Sequence, residues 1–444
     1  MQLTFSRLTG ISGQSYDSIM NHERSKNQIT PLGITNYRDM KYKFGIKEED
    51  RSGHMYIIGK TGTGKSTLIE NMAISDIKAG NGLALIDPHG DLSENVLNFI
   101  PESRIEDVIY FNPADIEYPI AFNPLERSHS DYHHLVASGL ISVLKKIWPN
   151  YWGPRMENIL RNSIMALLEY PESTLLDLPR ILTDDHFRRK ILERVTNQQV
   201  KEFWSSIYKN YSKWYKSEAA SPILNKIGQF LVSAPIRNIV GQKKSAFKLR
   251  KIMDEKKILI VNLSKGKLGE DNSALLGAMI VTRIQLAALS RANIPEAMRE
   301  PFYLYVDEVH NYLTESFADI LSEARKYGLR LILAHQYIEQ LDKEMIAAIF
   351  GNIGTIISFR VGAKDARYLG REFYPVFSES DLINLPNHQI YLKLMIDGIT
   401  SKAFSAVTLP PSGSNASSRN EIIKMSRSRY GRERSEVEKS IYLH

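Results

Sequence analysis

Gly59-Lys60-Thr61-Gly62-Thr63-Gly64-Lys65-Ser66 is the stretch on which the fold turns. It fits G-x-x-x-x-G-K-[ST], in which glycines let successive backbone N–H groups curl round a polyphosphate that a Cβ would obstruct. Lys65 is placed to reach the terminal phosphates as a point charge, and the Ser66 hydroxyl to ligate Mg²⁺. Just before the loop, Met55-Tyr56-Ile57-Ile58 reads as a buried strand. Just after it, Ser66-Thr67-Leu68-Ile69-Glu70 opens a helix that runs to about Lys78. That helix points the positive end of its dipole at the same anion. Strand, loop and helix in this order predict nucleotide binding by Gly59 through Thr67.

Outward from the loop the alternation continues. Gly80 and Gly82 stand where the helix stops and a strand, Gly82–Ile86, begins; Val108–Phe111 is the next. Between about Arg127 and Val240 the strand signal disappears, and apolar residues recur at helical spacing, as in Ile159, Ile164, Leu167 and Leu168. From Lys257 the rhythm resumes with strands near Ile258–Val261, Phe302–Val306, Leu329–Leu333, Thr355–Phe359 and Gln389–Met395, and a helix from about Ser273 to Arg291. Strands alternating with helices predict a parallel, helix-covered α/β sheet. The expected organisation is an N-terminal segment over 1–50, one half of the α/β unit over 51–127, an all-α insertion over 128–240 and the second half over 241–409. A flexible basic tail over 410–444 follows, opening with Pro, Ser, Gly and Asn and ending in a charged run that could be helical, its seven basic and four acidic residues after Pro410 giving +3.

The chain of 444 residues carries a net charge of +7, which permits a nucleic-acid partner without requiring one. Its 43% apolar and 24% charged content excludes wholesale disorder. The longest apolar stretches, around Ala274–Val281 and Ile346–Phe359, fall short of the ~20 residues of a membrane span, so a soluble, cytoplasmic chain is expected. Without cysteine there is no disulfide framework, thiolate metal site or cysteine nucleophile.

The apolar run Phe302–Val306 ends in Asp307-Glu308. Beside a phosphate loop, Asp307 would hold Mg²⁺, and Glu308 would orient and deprotonate an attacking water. A second apolar run, Leu331-Ile332-Leu333-Ala334, ends in His335-Gln336. Ligands of parallel sheets sit outside the carboxyl ends of the strands, so Gln336 should emerge beside Glu308, where its amide can bond both γ-phosphate and water. Arg325 lies near the end of the helix Glu315–Tyr327. It complements a helix C-terminus or acts as an arginine finger on a neighbouring subunit's nucleotide, a role for which Arg330 and Arg360 compete.

With these motifs assembled, the chain resembles the HerA/FtsK superfamily of ring-forming P-loop motors, and most of all the coupling ATPases of type IV secretion and conjugation, the TraD/TraG/TrwB group. The residues that carry the likeness are Gly59–Thr67, Asp87-Pro88-His89-Gly90-Asp91, Asp307-Glu308, Glu323-Ala324-Arg325-Lys326-Tyr327-Gly328 and Ala334-His335-Gln336, in order over Met55–Val407. The resemblance implies a RecA-like P-loop NTPase core with an all-α insertion domain. It further implies a homo-hexameric ring that threads DNA using ATP and Mg²⁺, and it tips Arg325 toward the finger role. A relaxase, nuclease or secretion-channel protein would be its partner. Many coupling proteins have N-terminal transmembrane helices and this sequence shows none, which leaves soluble HerA-like motors of DNA repair or phage defence in play and any place at the inner membrane peripheral. The competing expectations are an ATPase that energises assembly of a secretion or pilus complex without a DNA track, and a nucleotide-gated switch that barely turns over.

Three weaker signals stand beside these. Asp87-Pro88-His89-Gly90-Asp91 reads better as an acidic loop facing the nucleotide than as a metal site, since no second histidine cluster completes it. Trp204, Tyr208, Tyr211 and Tyr215 follow one helical face, which favours core packing over stacking on single-stranded DNA. Lys243, Lys244, Lys248, Arg250 and Lys251, and the loop Ser264-Lys265-Gly266-Lys267, either touch phosphates in a channel or are solvated faces.

Overall fold

The computed structural model describes residues 28–36, 40–126, 130–413 and 418–442. Its strands are β1 (Ile29–Thr35), β2 (Lys43–Lys47), β3 (Met55–Ile58), β4 (Gly82–Asp87), β5 (Val108–Phe111), β6 (Ile258–Asn262), β7 (Phe302–Val306), β8 (Leu329–His335), β9 (Thr355–Ser358), β10 (Gln389–Lys393), β11 (Met395–Ile396), β12 (Ile399–Thr400) and β13 (Phe404–Thr408). Eleven form one sheet in the order β2-β1-β13-β10-β9-β3-β8-β7-β4-β6-β5. The seven from β9 to β5 run parallel, whereas β10, β13, β1 and β2 join by antiparallel pairing. The parallel strands are the β-branched and aromatic runs of the sequence, and β3 to β7 are buried throughout, as a sheet covered on both faces requires.

Period-two alternation sorts these strands between two cores. Tyr56, Ile58, Ala84, Ile86, Leu304, Val306, Leu331 and Leu333 face the helical insertion and the helix Glu270–Leu289. Met55, Ile57, Leu83, Leu85, Tyr303, Tyr305, Ile332 and Ala334 face the helix Lys65–Lys78. Register then aligns the strand ends. Ile58 pairs with His335 and Val306 with Leu333, so the loop after β3, Gln336 after β8 and Asp307 after β7 all leave at one end of the sheet.

The structure departs from the sequence reading in five places. The N-terminal segment is continuous with the main sheet, because β1 pairs with β13 and β2 closes that edge. Helices between β5 and β6 run from His133–Ile147 to Leu249–Asp254, beyond the expected end at 240. The basic tail is not a flexible coil over 419–442: helices Arg419–Tyr430 and Arg434–Tyr442 pack back, burying Ile422 and Val437. Ser426 Oγ there accepts the backbone N–H of Tyr110 at 3.0 Å, so this helix covers edge strand β5. The aromatic ladder is not one helix, since Phe203–Tyr208 is a π-turn and a new helix starts at Lys213 behind the Ser212 cap. Trp204 and Tyr208 are nonetheless core residues. Finally, Glu270–Asn293 is long and apolar enough to cross a membrane by length and composition, but 72% of its most apolar window is buried inside the fold.

Candidate nucleotide site

The phosphate loop is moored on both sides. Gly59 N–H donates to the His335 carbonyl at 3.2 Å, and Lys60 N–H donates to the Arg360 carbonyl at 2.8 Å. A Cβ on Gly59 would lie 2.5 Å from Phe359 Cβ, so the turn tolerates no side chain there. Gly62 and Gly64 take φ of 75° and 117°, left-handed values that free the loop to wrap. Lys60, Thr61, Gly62 and Ser66 are exposed, and the first-turn amides of Lys65, Ser66 and Thr67 have no intrahelical acceptor. This is an open anion cradle. Lys65 is buried and folds its Nζ back onto the carbonyls of Gly59 (2.6 Å) and Lys60 (3.1 Å). Burial lowers its pKa, while Glu308 and Asp307 oppose that shift.

Across the cradle stand three buried carboxylates, Asp87, Asp307 and Glu308. Asp87 is occupied structurally, accepting the backbone N–H groups of His89 and Ser93 at 2.8 Å each, so it shapes the Pro88–Gly90 turn. Burial, then Glu308 and Asp87, pushes the Asp307 carboxyl up to about 6, with Lys65 pulling the other way. Such an excess of buried negative charge is what a divalent cation relieves. Among the described residues no group of three or more His, Asp or Glu forms a ready-made metal cage. Mg²⁺ keeps waters and phosphates in its shell and asks a protein for only one or two oxygens, and Asp307 and Ser66 are the side chains that could supply them.

Glu308 sits at φ 47°, ψ 53°, a left-handed conformation for a non-glycine residue and therefore one held by its surroundings. Its carbonyl accepts from Asn311 Nδ2 at 2.9 Å, and Asn311 Oδ1 in turn accepts from Lys265 Nζ at 2.9 Å. Its Oε1 accepts from Gln336 Nε2 at 2.7 Å. Thus the structure brings the phosphate loop, Lys65, Asp307, Glu308 and Gln336 to one end of the sheet. Arg325 is not among them. It is exposed, its side chain has no hydrogen-bond or ion-pair partner among the described residues, and it precedes β8, whose seven residues put it about 20 Å from Gln336. Arg330 is tied to the Glu48 carbonyl and the Tyr303 hydroxyl, and Arg360 to Asn387.

The basic run is largely neutralised locally, with Lys243 on Glu172, Lys248 on Glu126, Arg250 on Asp254 and Lys251 on Glu255. Sequence reasoning passed over His310, Asn311 and Gln340, which lie against the site; single polar residues in a loop carry no spacing signal that sets them apart.

A family model described as the type IV secretion-system coupling protein DNA-binding domain matches residues 43–373. The chain belongs to this family. Solved structures with the same fold as this coupling-protein domain include the bacterial conjugative coupling protein TrwBdeltaN70, 15% identical with a TM-score of 0.61 over 89% of this chain and 91% of that one. A plasmid coupling protein TrwB in complex with ADP and Mg²⁺ is 16% identical, with a TM-score of 0.62 over 91% and 94%. VirB4 of Thermoanaerobacter pseudethanolicus is 13% identical, with a TM-score of 0.55 over 88% and 97%. At these identities the likeness is one of fold, and it bears out the expected P-loop core with a helical domain. No curated protein sequence matches.

Proposed function

We propose that this coupling-protein domain is an ATP-hydrolysing, Mg²⁺-dependent motor that moves DNA, working as a homo-hexameric ring in the cytoplasm or at the face of the inner membrane. The observation that carries the reading is the 2.7 Å bond from Gln336 to Glu308, opposite Lys65 at the mouth of the phosphate loop. Phosphate oxygens would draw Lys65 Nζ off the loop carbonyls, and the open amides of Gly62 through Thr67 would bind them. Ser66 and Asp307 would hold Mg²⁺, which would supply neutralisation of phosphate charge. Glu308 accepts the proton of the attacking water at its carboxylate, and Gln336 donates to that carboxylate while its own carbonyl oxygen orients the water. The water then leaves as part of the released phosphate, which would free the Gln336 carbonyl, at the end of β8, to move. Arg325 cannot reach its own loop across the sheet, which supports a role on the neighbouring protomer's nucleotide. DNA as the track rests on the family, and the assembly-ATPase alternative has no such support.

The test is steady-state ATP hydrolysis at low salt, with and without single- and double-stranded DNA, using Glu308→Gln as the blank. Several-fold stimulation that fades as salt rises is expected. A rate indifferent to both DNA forms, in a sample shown to contain rings, would overturn the DNA track.

A further inference from the structure

Behind the proposed base lies a run of buried polar atoms that the proposed hydrolysis does not use. Glu308 Oε2, His310 Nδ1, His335 Nε2 and Gln340 Oε1 are all buried side-chain atoms with no hydrogen-bond partner among the described residues. Orphaned atoms of this kind are rare in a folded chain, and four in one cluster need a common cause. They form two complementary couples. Glu308 Oε2 stands 3.5 Å from His310 Nδ1. Burial, then His310, pushes the pKa of His335 down to about 3, and the Gln340 side chain alone pulls the other way, which places that amide against the ring. Two further contacts join the couples into a chain. Gln340 Nε2 lies 3.2 Å from His310 Nε2, and the Tyr56 hydroxyl lies 3.0 Å from His335 Nδ1.

Proton inventory gives this chain a direction. An amide nitrogen only donates, so His310 Nε2 must accept from Gln340. A neutral imidazole that accepts at Nε2 carries its proton on Nδ1, and that proton faces Glu308 Oε2. Burial, then Lys265, Lys146 and His89, holds the His310 pKa down at about 4, so the ring is neutral near pH 7. Turning the Gln340 amide over would move the proton to Nε2 and set a bare Nδ1 lone pair against a carboxylate. With the amide as it stands, Gln340 Oε1 is the free acceptor left for His335 Nε2–H, and His335 Nδ1 then accepts from Tyr56. One assignment gives all five side chains complementary donors and acceptors.

We propose that Tyr56, His335, Gln340 and His310 form a directional hydrogen-bond relay ending on Glu308 Oε2, with His310 the positioning residue that leaves Oε1 for Gln336 and the attacking water. This rests on the reading of Glu308 as the base of an ATPase. The relay draws its members from β3, from the end of β8 and from the turns after β7 and β8, so it ties the strand that carries the phosphate loop to the strand that carries the base. The 3.5 Å gap is under 1 Å longer than a charge-assisted bond, and catalytic bonds shorten in this way when substrate closes a site.

The experiment measures kcat and KM for ATP in the full chain, with DNA present, for His310→Ala, His310→Asn, His310→Gln, Gln340→Met and Glu308→Gln. The amide nitrogen of Asn reaches the place of Nδ1, and that of Gln reaches only the place of Nε2. His310→Ala is expected to lower kcat by about 10- to 100-fold with KM changed less than about 2-fold, the scale of outer-shell positioning groups. His310→Asn should restore most of that loss and His310→Gln none of it, a distinction that packing alone would not make. Equal rates for Asn and Gln, or a wild-type kcat in His310→Ala while Glu308→Gln is inactive, would overturn the relay. An active Glu308→Gln would instead overturn the assignment of the base. Should the His310 variants fold poorly, Gln340→Met reads the same relay from a partly buried position: a several-fold loss in kcat supports it and an unchanged kcat overturns it.

Discussion

Asp307 is a carboxylate whose ionised form the fold tolerates poorly, and replacing it separates stability from function. Its pKa is pushed from 3.8 up to about 6, by burial first and then by Glu308 and Asp87. A rise of that size corresponds to about 3 kcal/mol. The folded chain therefore holds this proton more tightly than the unfolded chain. The stability that comes with the proton is complete below about pH 4 and is lost as pH rises through about 6. Metal-free protein at pH 8 thus carries an ionised Asp307 at a cost of about 3 kcal/mol. Asp307→Asn removes the charge while its Oδ1 can still accept the Glu308 N–H that Asp307 Oδ1 now accepts at 3.0 Å. For 444 residues, with an unfolding entropy of about 2.1 cal/mol/K per residue, that gain raises Tm by about 3 °C. The assay is calorimetry in EDTA at pH 8 and pH 5. The variant should melt about 3 °C above wild type at pH 8, with the gap reduced to about half at pH 5. Added ADP and Mg²⁺ should stabilise wild type more than the variant. An Asn variant that melts at or below wild type at pH 8, or a gap that ignores pH, would refute the reasoning.

Other consequences are as direct. Arg51→Met leaves Asp76 charged in the core without the bidentate partner that now donates at 2.6 and 2.9 Å, and should cost about 3–5 kcal/mol by urea unfolding. Arg325→Ala should keep ATP binding and lose turnover, and monomers that hydrolyse ATP as fast as rings would exclude a finger in trans. Ser426→Ala strands the buried N–H of Tyr110 at a cost of about 1–3 kcal/mol, and limited proteolysis should then release the C-terminal helices earlier than in wild type.

What the sequence made legible is what repeats at short range. The run Met55–Ile58, the glycines after it and the helix from Lys65 state one strand-loop-helix unit locally, and the structure reproduces its bounds. Phe302–Val306 and Leu329–His335 announce themselves through apolar runs that stop at a polar residue, so Asp307, Glu308 and Gln336 could be placed at strand ends. The edge strands could not be read in this way. β1 contains Pro31 and Gly33 and is half-buried, and its identity comes from pairing with β13, more than 370 residues later. The C-terminal helices read as a flexible tail because their polarity is that of a surface helix; among the described residues there only Ile422, Ser426 and Val437 are fully buried, too few to print an apolar period. His310 and Gln340 were invisible for a third reason. Their meaning lies in which of their two polar atoms faces which neighbour, a property of side-chain orientation across strands.

The two buried polar networks make one argument about how such a site stays assembled. Glu308 and the phosphate loop come from strands that are not adjacent, since β8 separates β3 from β7. At one end of the sheet the Tyr56–His335–Gln340–His310 chain spans that gap behind the base. On the other face Arg51 bonds both Asp76, on the helix that begins with Lys65, and the Tyr305 hydroxyl, on β7 two residues before Asp307, while stacking 3.9 Å from the Tyr303 ring. Apolar packing opposes sliding of a helix over the sheet through shape, but it attaches no penalty to exchanging one apolar neighbour for another of the same size. A bidentate ion pair and a hydrogen-bond chain with fixed donors and acceptors do not permit that, because each step strands a buried charge or proton. The register between the Lys65 helix and the Asp307-Glu308 turn is therefore set by polar contacts, and the apolar cores on either face supply the stability within which that register holds.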